Sequence, residues 1–511
     1  MATAAVVTPH FLATAAGIDI LSIGGSAIDA AIAANAVLGV VAPETCGLGG
    51  DLFALVFEPG QNMPTALNAS GRAGSNVSSQ ALRDQGLADM PVMGPQTVTI
   101  PGCVDGWFAL AARYGHLAWS ERLAPALRYA DSGFPVSNEL ARSLSMRFEH
   151  LVPQSIGRHL LARGRPPQTG ETIARPDLAA TLRTIAAGTR EAFYLGDPGA
   201  AISEAVDGLI SKEDLASNQA DWVKPLGLQV FGLDAWTIPP NSQGYLTLAS
   251  AAVYESWKTG AETDVDRWHL AIEAYRSQVA DRDLVLADPA HAPFSAPELF
   301  APARLSRRRD LASRQNFRET KRTPGGTAFL CALDQDGLGV SFIQSNYMGL
   351  GSSVGAGSAG FMLQNRGAGF NLEPGHPNEL GPGKRPLHTL APSLWTQGGS
   401  LHTILGTRGA DYQPQLLLQM AIRMFDLGDS PAEAQTQPRW VVEEVDDSDG
   451  AVRVEENTPA EIVNGLRERG HPVEVATGVQ GGWGPVSVIR AGTAVEAAAD
   501  PRVGTAAAET L

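Results

Sequence analysis

Two glycines lead into a threonine at Gly325-Gly326-Thr327, and the threonine opens the apolar run Ala328 to Leu333. The run stops at Asp334-Gln335-Asp336-Gly337, a turn signal, and a second strand-like run from Gly339 to Gln344 follows at once. The pair reads as a β-hairpin starting at Thr327. Upstream, Ala303 to Thr323 is polar and basic, with Arg307-Arg308-Arg309 and Lys321-Arg322. A mobile linker that ends at a threonine beginning a core strand has the form of a self-cleaving precursor. The same residues also fit an ordinary loop entering a hairpin, and the stretch alone leaves both readings open.

Other residues in the chain could act around such a threonine. Arg72 lies among small residues in Asn68-Ala69-Ser70-Gly71-Arg72-Ala73-Gly74, a setting in which a guanidinium can fork onto a carboxylate. Many arginines in such settings are simply solvated. Beyond the hairpin, glycine-dense loops run through Tyr347–Gly360, Gln364–Phe370, Gly383–Thr389 and Leu405–Asp411, as if to bring backbone amides close to a ligand. Gly47-Leu48-Gly49-Gly50-Asp51 lacks the Lys-Ser/Thr of a phosphate loop, so close backbone packing is expected there.

The elements that must position these residues are legible in outline. Asp19 to Val41 reads as two small-residue helices split at Gly24-Gly25-Ser26, with Ser26 as N-cap of the second and a sheet as the packing partner. Leu52 to Phe57 is a strand. Helical patterns follow at Val104–Tyr114, Trp119–Asp131, Asn138–His150, Asp177–Ala187 and Thr263–Arg282. The acidic run Glu443 to Asp449 is expected to be a solvated turn, and the tail Ala491 to Leu511 a mobile segment of low complexity.

The 511 residues are 44% hydrophobic and 18% charged, enough to bury a large core. A net charge of −16 argues against nucleic acid or an anionic membrane as partner. Cys46, Cys103 and Cys331 are scattered and odd in number, so neither a disulfide framework nor a metal site is expected. Met1 to Ala13 lacks a basic n-region and no apolar run reaches membrane length, which makes the cytoplasm the expected compartment.

Taken in order, Gly24–Ala31, Gly47–Gly50, Pro101–Trp107, Gly325-Gly326-Thr327, Lys384-Arg385-Pro386 and Gly406-Thr407-Arg408-Gly409 resemble the gamma-glutamyltransferase family of N-terminal-nucleophile hydrolases. The resemblance runs over nearly the whole chain. It implies an α+β, four-layer αββα sandwich made as one precursor over residues 1–511. Self-cleavage would then give a large subunit 1–326 and a small subunit 327–511 that stay together, with a dimer of these left open. No cofactor or metal is expected.

By the same resemblance Thr327 is the nucleophile. Its hydroxyl needs a base, and cleavage frees an α-amino group whose ordinary pKa near 8 suits that task. Ser345 falls where the family has a hydroxyl that hydrogen-bonds the nucleophile, and Gly409 and Ala410 fall on the oxyanion pair. Arg72 matches the arginine that clamps the glutamyl α-carboxylate. His388 and Thr389 replace two serines on the same side of that pocket.

The departures concern the substrate. Gly369 stands where relatives carry the acidic residue that receives the glutamyl α-amino group, Tyr347 replaces an asparagine, and Arg366 lies close by. The expected activity is therefore hydrolysis of a small carboxylate-bearing amide, glutaryl- or oxamate-like. A true gamma-glutamyltransferase acting on glutathione is the alternative, with Asp411 as amine receptor; an uncleaved, non-catalytic binding protein is a third reading.

Overall fold

A computed structural model describes residues 3–311, 326–443, 450–478 and 483–511, with the side chains of 308–311 outside that description. Two antiparallel sheets form its centre. The first runs, edge to edge, Ala507–Thr510, Ala5–Thr8, Gly326–Leu333, Gly339–Tyr347, Asp51–Phe57, Thr65–Ala69 and Asp221–Val223. The second runs Glu496–Ala499, Val486–Arg490, Ser400–Thr407, Ser393–Gln397, Leu233–Thr237 and Leu226–Val230.

Side-chain alternation turns these sheets into layers. Along Gly326–Leu333, Ala328, Leu330 and Ala332 pack outward with Ile28 and Ile32 of helix Ala27–Val41 and Trp107 of helix Cys103–Tyr114. Phe329, Cys331 and Leu333 point the other way, into a cluster shared with Leu394 and Ile404 of the second sheet. Asp51–Phe57 divides identically, Leu52, Ala54 and Val56 outward and Phe53, Leu55 and Phe57 inward. Across the stack, Trp395 and Leu405 turn outward onto helices Tyr245–Trp257 and Gln413–Ala421. Strand period two thus generates helix, sheet, sheet, helix. The expected αββα sandwich is the fold.

The hairpin and the first long helix form for the expected local reasons. Asp334 closes the turn by accepting from the backbone N–H groups of Asp336 (3.1 Å) and Leu338 (3.0 Å). Its other oxygen accepts from Ala27 N at 2.8 Å, which fixes the helix start against the turn. Ser26 caps that helix in a reciprocal box with Asp29. Gly49 and Gly50 are pressed on backbone: a Cβ on either would collide with the carbonyl of Met362 or of Ser345. Close packing, as expected, is the use of that cluster.

Two expectations are corrected. The tail is ordered, because Ala507–Thr510 finds an open sheet edge at Ala5–Thr8 and pairs with it, while Glu496–Ala499 extends the second sheet. The basic stretch before the hairpin begins as a helix, Pro302–Leu311. Its remainder lies outside the described residues, as does 444–449 of the acidic run.

Where the sheets meet, Gly406 lies against the ring of Phe329, and a Cβ there would overlap the ring. Because Phe329 is 2% exposed and cannot move aside, Gly406→Ala should destabilise the protein by about 1–3 kcal/mol. A fall in thermal midpoint checks this, and an unchanged midpoint would contradict it.

Burial also sets a pH dependence. The Glu44 side chain lines a small cavity with His10, Glu139 and Arg408, and its Oε2 has no hydrogen-bond partner. Burial foremost pushes the carboxyl up to about 8, opposed by the Arg408 and Arg175 charges. The folded protein therefore retains a proton that the unfolded chain loses near pH 4.5, and this group's contribution falls as pH rises from there to about 8. Glu44→Gln cannot ionise. Its thermal midpoint should drop less between pH 5 and pH 8 than that of the unaltered protein, and an equal drop would contradict the assignment.

Candidate active site

The hydroxyls of Thr327 and Ser345 meet at the open end of the hairpin. Thr327 Oγ1 donates to Ser345 Oγ at 3.1 Å, and Ser345 Oγ donates to the carbonyl of Gly326 at 2.6 Å. Tyr347 N donates to the same Ser345 oxygen at 2.8 Å, which orients the serine O–H toward Gly326. This is possible because strand pairing shifts register between Gln344 and Tyr347, bringing Tyr347 opposite Gly326. Three partners around one hydroxyl connect a threonine oxygen to the carbonyl of the peptide bond before it. Such an arrangement can polarise that carbonyl beside a hydroxyl able to attack it.

The glycine before Thr327 is sterically required. A Cβ at Gly326 would collide with the Glu44 carbonyl and crowd Gly349. The segment after Gly406 leaves the second sheet near this link, since Arg408 lines the cavity that Glu44 also lines. Arg408 is anchored by a two-point pair with Glu139 (2.8 and 3.1 Å) and by donating to Gly484 O at 3.0 Å. Next come Gly409 and Ala410 with φ of 128° and 47°, left-handed values that an alanine adopts only under constraint. Gln243 Nε2 supplies the constraint, donating to Ala410 O and Thr389 O at 2.8 Å each. Among the described residues neither amide N–H, of Gly409 or of Ala410, donates to a protein acceptor. Two consecutive unused donors can receive a developing oxyanion.

His388 and Thr389 sit deeper than the expected pocket wall. His388 is fully buried; Nε2 bonds Asp51 Oδ2 at 3.1 Å, and Nδ1 accepts from Leu390 N at 3.3 Å, which makes Nε2 the protonated nitrogen. Burial, then the nearby Arg366 charge, pulls its pKa down to about 3 against the pull of Asp51. The ring is neutral. It holds Asp51, which also accepts from Gly71 N (2.7 Å) and Gln364 Nε2 (2.8 Å) and faces Ser345 across the strand pair. Thr389 Oγ1 accepts from Arg366 Nη2 at 3.2 Å.

Arg72 forms an ion pair with Asp221 at 2.7 Å, and Arg385 pairs with the same carboxylate oxygen at 2.7 Å. Burial raises the Asp221 carboxyl, yet Arg385 and Arg72 together hold it below its ordinary range. Arg385, of the Lys-Arg-Pro stretch, also donates to Ser70 O and Gln219 O, tying the Arg72 loop to the second half of the chain. Asp411 pairs with Arg282. At Gly369 a Cβ would stand 3.0 Å from Leu387 O, a tight contact that the loop would have to relieve.

Of the residues named from the sequence, the structure joins Thr327 and Ser345 by a hydrogen bond beside the Gly326 carbonyl, and sets Gly409 and Ala410 in a left-handed corner after the strand Ser400–Thr407. Sequence reasoning missed Asp51, read only as the end of a glycine turn, and Gln243. Asp51 carried a weak signal, a carboxylate leading an otherwise apolar strand. Gln243 carried none.

Comparison with known proteins bears on this geometry. The gamma-glutamyltranspeptidase family model matches residues 13–510. A glutathione hydrolase-like YwrD proenzyme of Bacillus subtilis is 35% identical, the match covering 97% of this chain and 96% of the relative. An oxamate amidohydrolase proenzyme of Klebsiella pneumoniae is 34% identical over 98% and 97% of the two chains. Among solved structures, a cephalosporin acylase from Bacillus halodurans superposes with a TM-score of 0.92 at 34% identity, covering 99% of this chain and 96% of its own. Sequence and fold together show that the chain belongs to the gamma-glutamyltranspeptidase family of N-terminal-nucleophile hydrolases and acyltransferases.

Proposed function

We propose that the protein is a self-processing threonine amidohydrolase acting on small carboxylate-bearing amides. The observation that carries this reading is the Ser345 hydroxyl, which joins Thr327 Oγ1 to the Gly326 carbonyl. Thr327 Oγ attacks the Gly326 carbonyl carbon, the C–N bond breaks as its nitrogen gains a proton, and water hydrolyses the resulting ester. Cleavage leaves residues 1–326 and 327–511 folded together, because the new terminus begins a central strand.

In the processed enzyme the freed α-amino group takes the proton from Thr327 Oγ as that oxygen attacks a substrate amide. The oxyanion is received by the N–H groups of Gly409 and Ala410; losing one such donor costs roughly 100- to 1000-fold in rate. The amine departs with the proton, and water releases the acid from acyl-Thr327. The names of two relatives, an oxamate amidohydrolase and a cephalosporin acylase, support an acyl group other than glutamyl. So does the crowding at Gly369. Glutathione hydrolysis is the second reading, favoured by the first relative described; its amine receptor would be Asp411, already paired with Arg282, or a residue of another loop.

Denaturing electrophoresis with mass analysis should find two fragments joining at Gly326/Thr327, and Thr327→Ala should yield one intact chain. An unaltered protein that stays intact would overturn the proposal. Turnover of a glutaryl anilide should exceed that of the γ-glutamyl anilide; a strong preference for the latter would establish the second reading instead.

A further inference from the structure

Arg366 is 1% exposed, yet its Nε and Nη1 have no hydrogen-bond partner among the described residues. Among the described residues it forms no ion pair. Its contacts are Thr389 Oγ1, to which Nη2 donates at 3.2 Å, and the ring of Tyr347, whose centroid lies 3.5 Å from Cζ. A buried cation without a counter-ion is costly unless a ligand supplies the charge. The carboxylates nearby are engaged elsewhere. Asp51 accepts from Gly71, Gln364 and His388, and Asp411 pairs with Arg282.

The position of this cation relative to the hydroxyl pair is held rigidly. Tyr347, which it stacks on, lies opposite Gly326 in the strand register and donates its N–H to Ser345. The loop that carries Arg366 is stitched to the same strand end, with Asn365 N donating to Asn346 O (3.2 Å) and Met348 N to Asn365 Oδ1 (3.1 Å). The guanidinium thus lies over the ring of a residue whose backbone is bonded to Ser345 and paired with Gly326. Arg72 offers less. It is already paired with Asp221, so a substrate carboxylate there would compete with an internal one.

We infer that Arg366, with Thr389 beside it, is the subsite that receives the free carboxylate of a dicarboxylic half-amide substrate. The planar fork of the guanidinium accepts a carboxylate on two donors, and the ring of Tyr347 fixes its plane. Arg72 is then a positioning residue that braces the Asp221–Arg385 contact. Arg366 puts a cation beside Gly369, where an ammonium-bearing substrate would need an anion.

The inference rests on the proposed function, and the following comparison separates the two. Processed wild-type enzyme, Arg366→Gln, Arg366→Lys and Arg72→Ala are assayed on a glutaryl anilide and on the neutral pentanoyl anilide. Fragment formation is recorded for each protein. Arg366→Gln should remain cleaved and lose about 10- to 100-fold in kcat/KM on the glutaryl substrate, mainly through KM. Its rate on the pentanoyl substrate should change less than about threefold, since the group lost was never used there. Arg366→Lys should retain part of the preference, and Arg72→Ala should lower both substrates alike.

Equal losses on the two substrates in Arg366→Gln, or a glutaryl preference abolished by Arg72→Ala alone, would overturn the subsite while leaving Thr327 chemistry intact. An uncleaved or inactive wild type would overturn the proposed function itself. Should Arg366→Gln fail to fold, inhibition of the wild type decides the matter: glutarate should compete at least tenfold better than its neutral diamide, and equal inhibition would refute the subsite.

Discussion

The carboxylate of Asp51, fully buried at the start of its strand, holds together four separated segments of chain. It accepts from the backbone at Gly71, from the Gln364 side chain and from the neutral His388 ring. These partners enter from both sides of the Gly326–Thr327 link, in residues 1–326 and 327–511. A buried carboxylate is expensive unless its oxygens are occupied, so the three segments are held wherever Asp51 is. Asp51 faces Ser345 across the strand pair, so the hydroxyl that joins Thr327 to Gly326 takes its place from the same node.

Around this node the arginines divide by what they are bonded to. Arg385 and Arg72 share Asp221 and serve cohesion between loops. Arg408 is fixed by Glu139 and Gly484, which keeps the strained Gly409–Ala410 corner in place. Arg282 takes up Asp411. Arg366, buried with two donors unused, is the one of these that no carboxylate pairs among the described residues. Similar residues in similar motifs thus do different work, and the difference lies in which carboxylate each one meets. Residue type could not reveal it.

Local signals were read well where the determinant was local. The Asp334 turn, the Ser26 cap and the backbone crowding at Gly49 and Gly50 depend on neighbours a few residues away or on the lack of a side chain, and all stand as expected. The tail was misread because its β-structure depends on a partner almost five hundred residues distant: Ala507–Thr510 pairs with Ala5–Thr8. Small residues there look like low complexity until a sheet edge is present. His388 shows the same limit. Its motif left open whether it meets the substrate or bonds a nearby loop, and packing turns its ring to Asp51.

What the sequence determined by itself was the order of motifs, and through it the family, the layered fold and the candidate threonine. Fold and threonine came through the resemblance that those motifs carry, while residue types at short spacing gave the strands, turns and caps themselves. Only the tertiary structure decided which charges are spent and which are free. Ion pairing and burial join residues hundreds of positions apart, so the commitment of Arg72 to Asp221 and the unmatched charge of Arg366 exist only once the chain has closed on itself.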